Sequence, residues 1–325
     1  MDYGEKNGDS ASNISVNGKD EDTINSSLKE DGDKDKEEDE NLSHHCIESI
    51  KTSDEDVQLN EDFFGYSDPS LVSTIVPTKR FTWITKNKLI VQLITYGATI
   101  TSIEAPDRLG QTVDIVLGFN EIEGYTKNHQ YSFGSTIGRV VNIIEDSSFA
   151  IRSKIYVLSS NQKDHHYNGG NHGFDKVNWE WHIEDKKVTL SYLSPEGEEG
   201  YPGSMLTQIT YTVTADNTII IQMKSTATEP TPVNISNNIY FNLAGHNAGA
   251  CELYNHFATI NADKYTPVTD DQIPTGEKLS VGGTLFDFRI SKLLSDVIPS
   301  MSSNGYNSNF ILTKEVEQEL SFASR

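Results

Sequence analysis

From about residue 72 onward the chain is a succession of short runs rich in β-branched and aromatic residues, closely spaced and separated by turn formers. "STIVPTKRFTWIT", "KLIVQLITYGATITSIEA", "TVDIVLGF", "SFAIRSKIYVLSS", "NWEWHIED", "KVTLSYLS", "MLTQITYTVTADNTIIIQMKSTA" and "HFATINADKYTPV" are such runs, with "DRLG", "ADN", "EGEEG" and "NGG" as turns. Val, Ile, Thr and the aromatics fit a pleated, half-buried surface, and several runs alternate apolar with polar residues, the period of a strand with one face in a core. Helical periodicity shows only weakly, around "KLLSDVIPSM" and "TKEVEQELSFASR". So many strands at short spacing predict an all-β fold, a large antiparallel β-sandwich. "TADNT", between two long runs, reads as a hairpin turn. No repeat of fixed period is present, which argues against a propeller.

The first sixty residues have a different texture. They hold 18 Asp and Glu against 6 Lys, a net charge of −12 within a total of −22 for the 325 residues. Such a segment buries too little apolar surface to offset the entropy of ordering, so residues 1–60 are expected to form a disordered acidic tail and 61–325 the folded domain. The sharper reading of the tail is an acidic peptide that docks on a basic protein partner. An acidic chain repels phosphates, which argues against nucleic acid and anionic membrane as partners. The start lacks a basic, then apolar, leader, and no run approaches the roughly 18 apolar residues of a spanning helix, so the expected location is cytoplasmic. Cys46 and Cys251 are the only cysteines and suggest no disulfide framework. His44, His45 and Cys46 are adjacent, but three neighbouring ligand types in a tail do not make a metal site, and Cys251 reads as a structural thiol.

One stretch resists the strand reading. "VNISNNIYFNLAG" (233–245) packs asparagines among Val, Ile, Tyr and Phe, although asparagine favours turns and is depleted in strands. Together with "ITYGATITSIEAPDRLGQTVDIVLGFNEIEGY", "IGRVVN", "GGNHGFDKVNW", "SPEGEEGYPG", "ADKYTPVTDDQIPTGE" and "GTLFDFR", in that family's order from about residue 80 to 312, it resembles the aldose 1-epimerases, the galactose mutarotases. The resemblance implies a galactose mutarotase-like β-sandwich with an open sugar cleft. It also implies interconversion of the α and β anomers of a free aldohexose, with no metal or organic cofactor.

That reaction takes a proton from the anomeric hydroxyl and gives one to the ring oxygen, so the site needs a base and an acid that exchange protons near neutral pH. By the resemblance these are a glutamate and a histidine, with a second histidine and an aspartate on the sugar hydroxyls and an Asn-Arg pair in support. Here Asn238 stands in the acid-histidine motif, Asn168 in the other histidine motif and Asn307 in the aspartate motif. Asn142 keeps the first member of the supporting pair, but Ile143 replaces the arginine. The chain reaches Arg325 before the family's glutamate, so the sandwich is expected to be incomplete at its C-terminus and to expose a sheet edge open to a partner chain.

A carboxamide donates and accepts hydrogen bonds but does not ionise in a useful range. No family catalytic residue is therefore intact, and the expected substrate-binding set is Asn142, Asn168, Asn238 and Asn307. Two accounts stand side by side: decay of an unused site, or a remodelled site that binds a free hexose such as galactose or glucose without turnover. The alternative is an active aldose 1-epimerase with an unrecognised acid and base. His165, His166 and His172 are the nearest replacement acids, and Glu196, Glu198 and Glu199 the nearest carboxylates. The bland reading of both groups is a solvent-facing loop.

Overall fold

The computed structural model describes residues 56–67, 76–128, 130–301, 305–314 and 320–325. Apart from residues 56–60, the expected acidic tail, with His44, His45 and Cys46, lies outside the described residues.

Alternation builds the first layer. β1 (Val57–Tyr66), β2 (Pro77–Thr85), β3 (Ile90–Ile94), β4 (Thr99–Pro106) and β5 (Thr112–Asp114) lie antiparallel in chain order. Along β2, Thr78, Phe81, Trp83 and Thr85 point inward. The second layer is β6 (Glu180–Glu184), β7 (Lys187–Ser194), β8 (Met205–Val213) and β9 (Ile219–Ala227), again antiparallel in chain order. Every second residue of β8 is buried, from Met205 through Thr207, Ile209 and Tyr211 to Val213. "TADNT" makes the hairpin between β8 and β9, with Asn217 at φ +65° in the left-handed region that asparagine tolerates.

The two layers share one core. Phe81, Trp83, Val91, Leu93, Ile100 and Ile103 of the first meet Val188, Leu190, Met205, Ile209, Tyr211 and Val213 of the second. Each such side chain contributes about 1.5–3 kcal/mol on burial, so this interface holds the fold together. Hydrogen bonds also span the layers: the Trp83 indole donates to the Lys186 carbonyl at 2.7 Å, the Tyr211 hydroxyl to the Ala98 carbonyl at 2.9 Å, and the Thr85 hydroxyl to the Asn217 side-chain oxygen at 2.7 Å. The all-β, antiparallel sandwich expected from the sequence is the observed fold.

β1 opens at Val57, inside the stretch assigned to the tail. Val57 and Leu59 reach the core, and the acidic residues that follow on β1, Glu61 and Asp62, bond basic side chains of β2. Lys79 bonds Glu61 at 2.8 Å, and the Arg80 Nε donates to Asp62 at 2.9 Å. The guanidinium of Arg80 holds the Asp62 carboxyl below its usual range.

At the other layer, β9 is an edge strand. Its Ile219 and Ile221, with Leu89, Ile103, Ile115 and Phe241, line an open cavity of about 460 Å³. A third, small sheet sets β10 (Ala262–Thr266) between β11 (Leu279–Ser280) and β12 (Asn309–Leu312). The weak helical pattern in "KLLSDVIPSM" corresponds to one helical turn at Leu294–Val297 and a 3-10 turn at Ile298–Ser300.

Candidate functional site

Three of the four asparagines sit on chain segments that pair with one another. Thr136–Ile137 pairs antiparallel with Ser236–Asn237, and the Asn238 backbone N–H donates to the Ser135 carbonyl at 2.9 Å. On the far side, Ile143–Ile144 pairs with His166–Tyr167. The 134–144 stretch thus carries Asn142 and brings the Asn238 and Asn168 segments to its two ends. Ile143, where the resemblance implies an arginine, is half-buried in the second of these ladders.

Asn168 and Asn142 hold each other. The Asn142 backbone N–H donates to the Asn168 side-chain oxygen at 2.8 Å, and the Asn168 N–H returns to the Asn142 carbonyl at 3.1 Å. Both residues have positive φ, +72° at Asn142 and +49° at Asn168, a conformation asparagine accepts more readily than most residues. The following glycine is a packing requirement. A Cβ on Gly169 would lie 1.8 Å from the Gly138 carbonyl oxygen, and φ there is +83°.

Asn238 is anchored differently. Its side-chain amide donates to the carbonyls of Tyr131 at 3.2 Å and Ser132 at 3.1 Å. The neighbouring Asn237 amide donates to the Gly134 carbonyl at 3.0 Å, so both side chains tie down the 131–134 turn. Ser132 in turn donates to the buried Asp175 carboxylate at 2.7 Å, which also meets Lys176 at 3.2 Å.

Tyr167 connects the Asn168 and Asn238 neighbourhoods. Burial raises its pKa above the usual phenol value, Tyr240 adds to the rise, and a hydrogen bond with the Asn168 side chain opposes it. Rings gather on the Asn238 side. Tyr131 stacks on Phe133 at 5.1 Å and 10° between planes, and Phe133 meets Tyr240 edge-on at 5.4 Å.

Asn307 stands apart. It donates to Gln272 at 3.2 Å beside the small third sheet, and no bond joins it to the other three asparagines among the described residues. The link is indirect: the adjacent Asp271 pairs with Lys163 on the loop that carries His165.

The nearby histidines and glutamates have internal duties. His166 is fully buried, with Nδ1 2.7 Å from the Ser159 carbonyl and Nε2 2.8 Å from the Tyr201 hydroxyl. Burial pulls its pKa below 6.5, so the ring is neutral, donating from Nδ1 and accepting at Nε2. The solvent-facing reading therefore fails for His166. His165 accepts the Asp146 N–H at Nδ1, and His172 is exposed.

Glu199 accepts the N–H groups of Asn171 at 2.9 Å and His172 at 2.8 Å, together with the Ser159 hydroxyl. Glu198 accepts the hydroxyls of Tyr192 and Ser194. Both were expected in a solvated loop, and instead brace it from within; Glu196 is exposed. Beside them, buried Arg139 donates to Ser194 and to the carbonyls of Pro195 and Pro202. Cys251 is exposed on a single helical turn. Among the described residues no helix is long and apolar enough to cross a membrane.

The chain matches the family model described as aldose 1-epimerase over residues 79–323. It belongs to the aldose 1-epimerase family. It is 41% identical to the galactose mutarotase of Homo sapiens over 230 residues, 71% of this chain and 66% of that protein. Against the aldose 1-epimerase of Escherichia coli K12 it is 32% identical over 249 residues, 75% of this chain and 71% of that one. The chain therefore spans just under two thirds of the human protein's length. Its fold superposes on the crystal structure of the GalM/aldose epimerase homologue from C. elegans with a TM-score of 0.68 at 31% identity, covering 74% of this chain and 72% of the other. Galactose 1-epimerase from Lactobacillus acidophilus gives a TM-score of 0.69 at 24% identity, covering 82% and 76%, and shares the fold.

In this family member, motif reading picked out the asparagines but passed over Tyr131, Ser132, Tyr167, Asp175 and Tyr240. Tyr167 and Tyr240 flank Asn168 and Asn238 and were within reach of the same motifs. The rest gave no local signal, because their roles arise from contacts between segments far apart in the chain.

Proposed function

We propose that this aldose 1-epimerase family member binds a neutral free hexose, such as galactose or glucose, and has lost most or all of the ability to interconvert its anomers. One observation carries the reading. Asn238, at the position where the resemblance puts the acid, holds the backbone carbonyls of Tyr131 and Ser132 with its amide and has no proton to transfer. Losing one positioned acid or base typically costs about 10²–10⁴ in rate. Asn168 and Asn307 extend the same change to two further positions, each keeping the capacity to bond a hydroxyl.

The alternative, an active epimerase with a replacement acid and base, draws little support from the surroundings. His166, Glu198 and Glu199 are committed to internal hydrogen bonds, which leaves His165, His172 and Glu196 as the accessible substitutes.

Polarimetry of freshly dissolved α-D-galactose, with and without folded protein, separates the two. The expected result is decay at the rate of buffer, with saturable galactose binding by calorimetry. A clear acceleration overturns the loss of activity. Absence of binding overturns retention of the ligand.

A further inference from the structure

We propose that Tyr131 is a stacking platform in the cleft, receiving the C–H face of a pyranose; the inference rests on the sugar-binding reading above and names how that site holds its ligand. The ring is half exposed, at 50%, and one face lies nearly parallel on Phe133. The opposite face is the one assigned to the sugar. Phe133 is in turn braced by Tyr240 at 5.4 Å and by Phe119 at 5.7 Å, so the platform is backed by a cluster and does not stand alone.

The backbone beneath it is fixed. The Tyr131 N–H donates to the Asn128 carbonyl at 3.1 Å, and its carbonyl accepts from Asn238. Ser132 sits at φ +44° and is held by Asp175. A strained, multiply anchored turn that presents an aromatic face to solvent is costly unless the face is used.

The chemistry of the neighbours selects the ligand. Aromatic faces carry negative potential and attract the weakly positive C–H groups of a sugar ring. Asn238, whose amide donates to the Tyr131 carbonyl, and Asn128, whose carbonyl accepts the Tyr131 N–H, carry neutral carboxamides suited to hydroxyl groups. The substituted positions supply no cation for an acidic sugar, because Ile143 stands where an arginine would be. A neutral pyranose fits this combination.

The test titrates D-galactose by calorimetry into the full chain and into Tyr131→Ala, Tyr131→Phe and Tyr131→Trp, each checked for folding by circular dichroism. Tyr131→Ala is expected to weaken binding about tenfold. Tyr131→Phe and Tyr131→Trp, which keep the face, are expected to stay within about twofold of the parent. Parent binding that Tyr131→Ala leaves unchanged overturns the platform alone. The same holds if Tyr131→Phe loses as much as Tyr131→Ala, because the hydroxyl and not the face would then matter. No saturable binding by the folded parent overturns the sugar-binding reading and this inference with it.

Discussion

The Asn168 side-chain oxygen accepts the backbone N–H of Asn142 at 2.8 Å, so an asparagine at a position where the resemblance implies a histidine also serves as a structural clamp. Asn168→Ala removes the acceptor and puts a Cβ-bearing, non-asparagine residue at φ +49°. The expected loss is about 1–2 kcal/mol, read from the denaturant midpoint. Asn168→Gly loses the same bond without the backbone penalty and should fall less. Equal losses would show that the backbone conformation is not part of the cost.

Asn238 invites the reverse substitution. Asn238→His introduces a group that transfers a proton near neutral pH, and exchange of α-D-galactose should then exceed that of the parent chain. The gain should titrate with a midpoint of about 6.5, the ordinary imidazole value. Polarimetry between pH 5 and pH 8 reads it. A flat, parent-like rate would mean that this position does not reach a reacting atom of the sugar.

His166 predicts a pH dependence whose sign can be worked out. Its folded pKa lies below the unfolded 6.5 because burial disfavours the charged ring. Above 6.5 both states are neutral there, and the contribution to stability is intact. As pH falls from 6.5 towards the folded pKa, the unfolded chain binds a proton that the folded chain excludes, and stability drops. Urea midpoints should fall between pH 7 and pH 5, with a shallower slope in His166→Gln. An identical slope in the variant would remove His166 as the source.

Glu199 holds two consecutive N–H groups, of Asn171 and His172, just after the Asn168 clamp. Glu199→Gln removes the charge from both bonds. Local opening should become easier, with amide hydrogen exchange at Asn171 and His172 faster by roughly tenfold or more. Amides of β8 should be unaffected. Uniform acceleration across the molecule would point instead to a loss of global stability.

The layers of the fold were legible where burial alternates along one strand, as in "MLTQITYTV" of β8. Periodicity is a local property, and residues 205–213 carry it whole. β1 was missed because what makes "VQLNEDFFGY" a strand lies on β2: Lys79 and Arg80 neutralise Glu61 and Asp62 across the pair. The site divides in the same way. The asparagines stood out in their motifs, whereas the Asn142–Asn168 bond and the burial of His166 under Tyr201 join segments 26 and 35 residues apart in the chain. Asn307 looked equivalent to the others in sequence and lies beside Gln272 instead. Motif order carries no distance.

The hydrogen bond from the Trp83 indole to the Lys186 carbonyl gives the protein a built-in optical gauge. The indole lies in the seam between the two layers, dry and with its one donor occupied. When the layers part, that donor meets water and the light emitted by the ring shifts to the red. Trp179, whose indole donates to the Phe174 carbonyl at 3.1 Å, lies instead beside the segment that carries Asn168, and Trp181 is exposed. With Trp179 and Trp181 replaced by Phe, the emission of Trp83 alone reads the parting of the layers without any label.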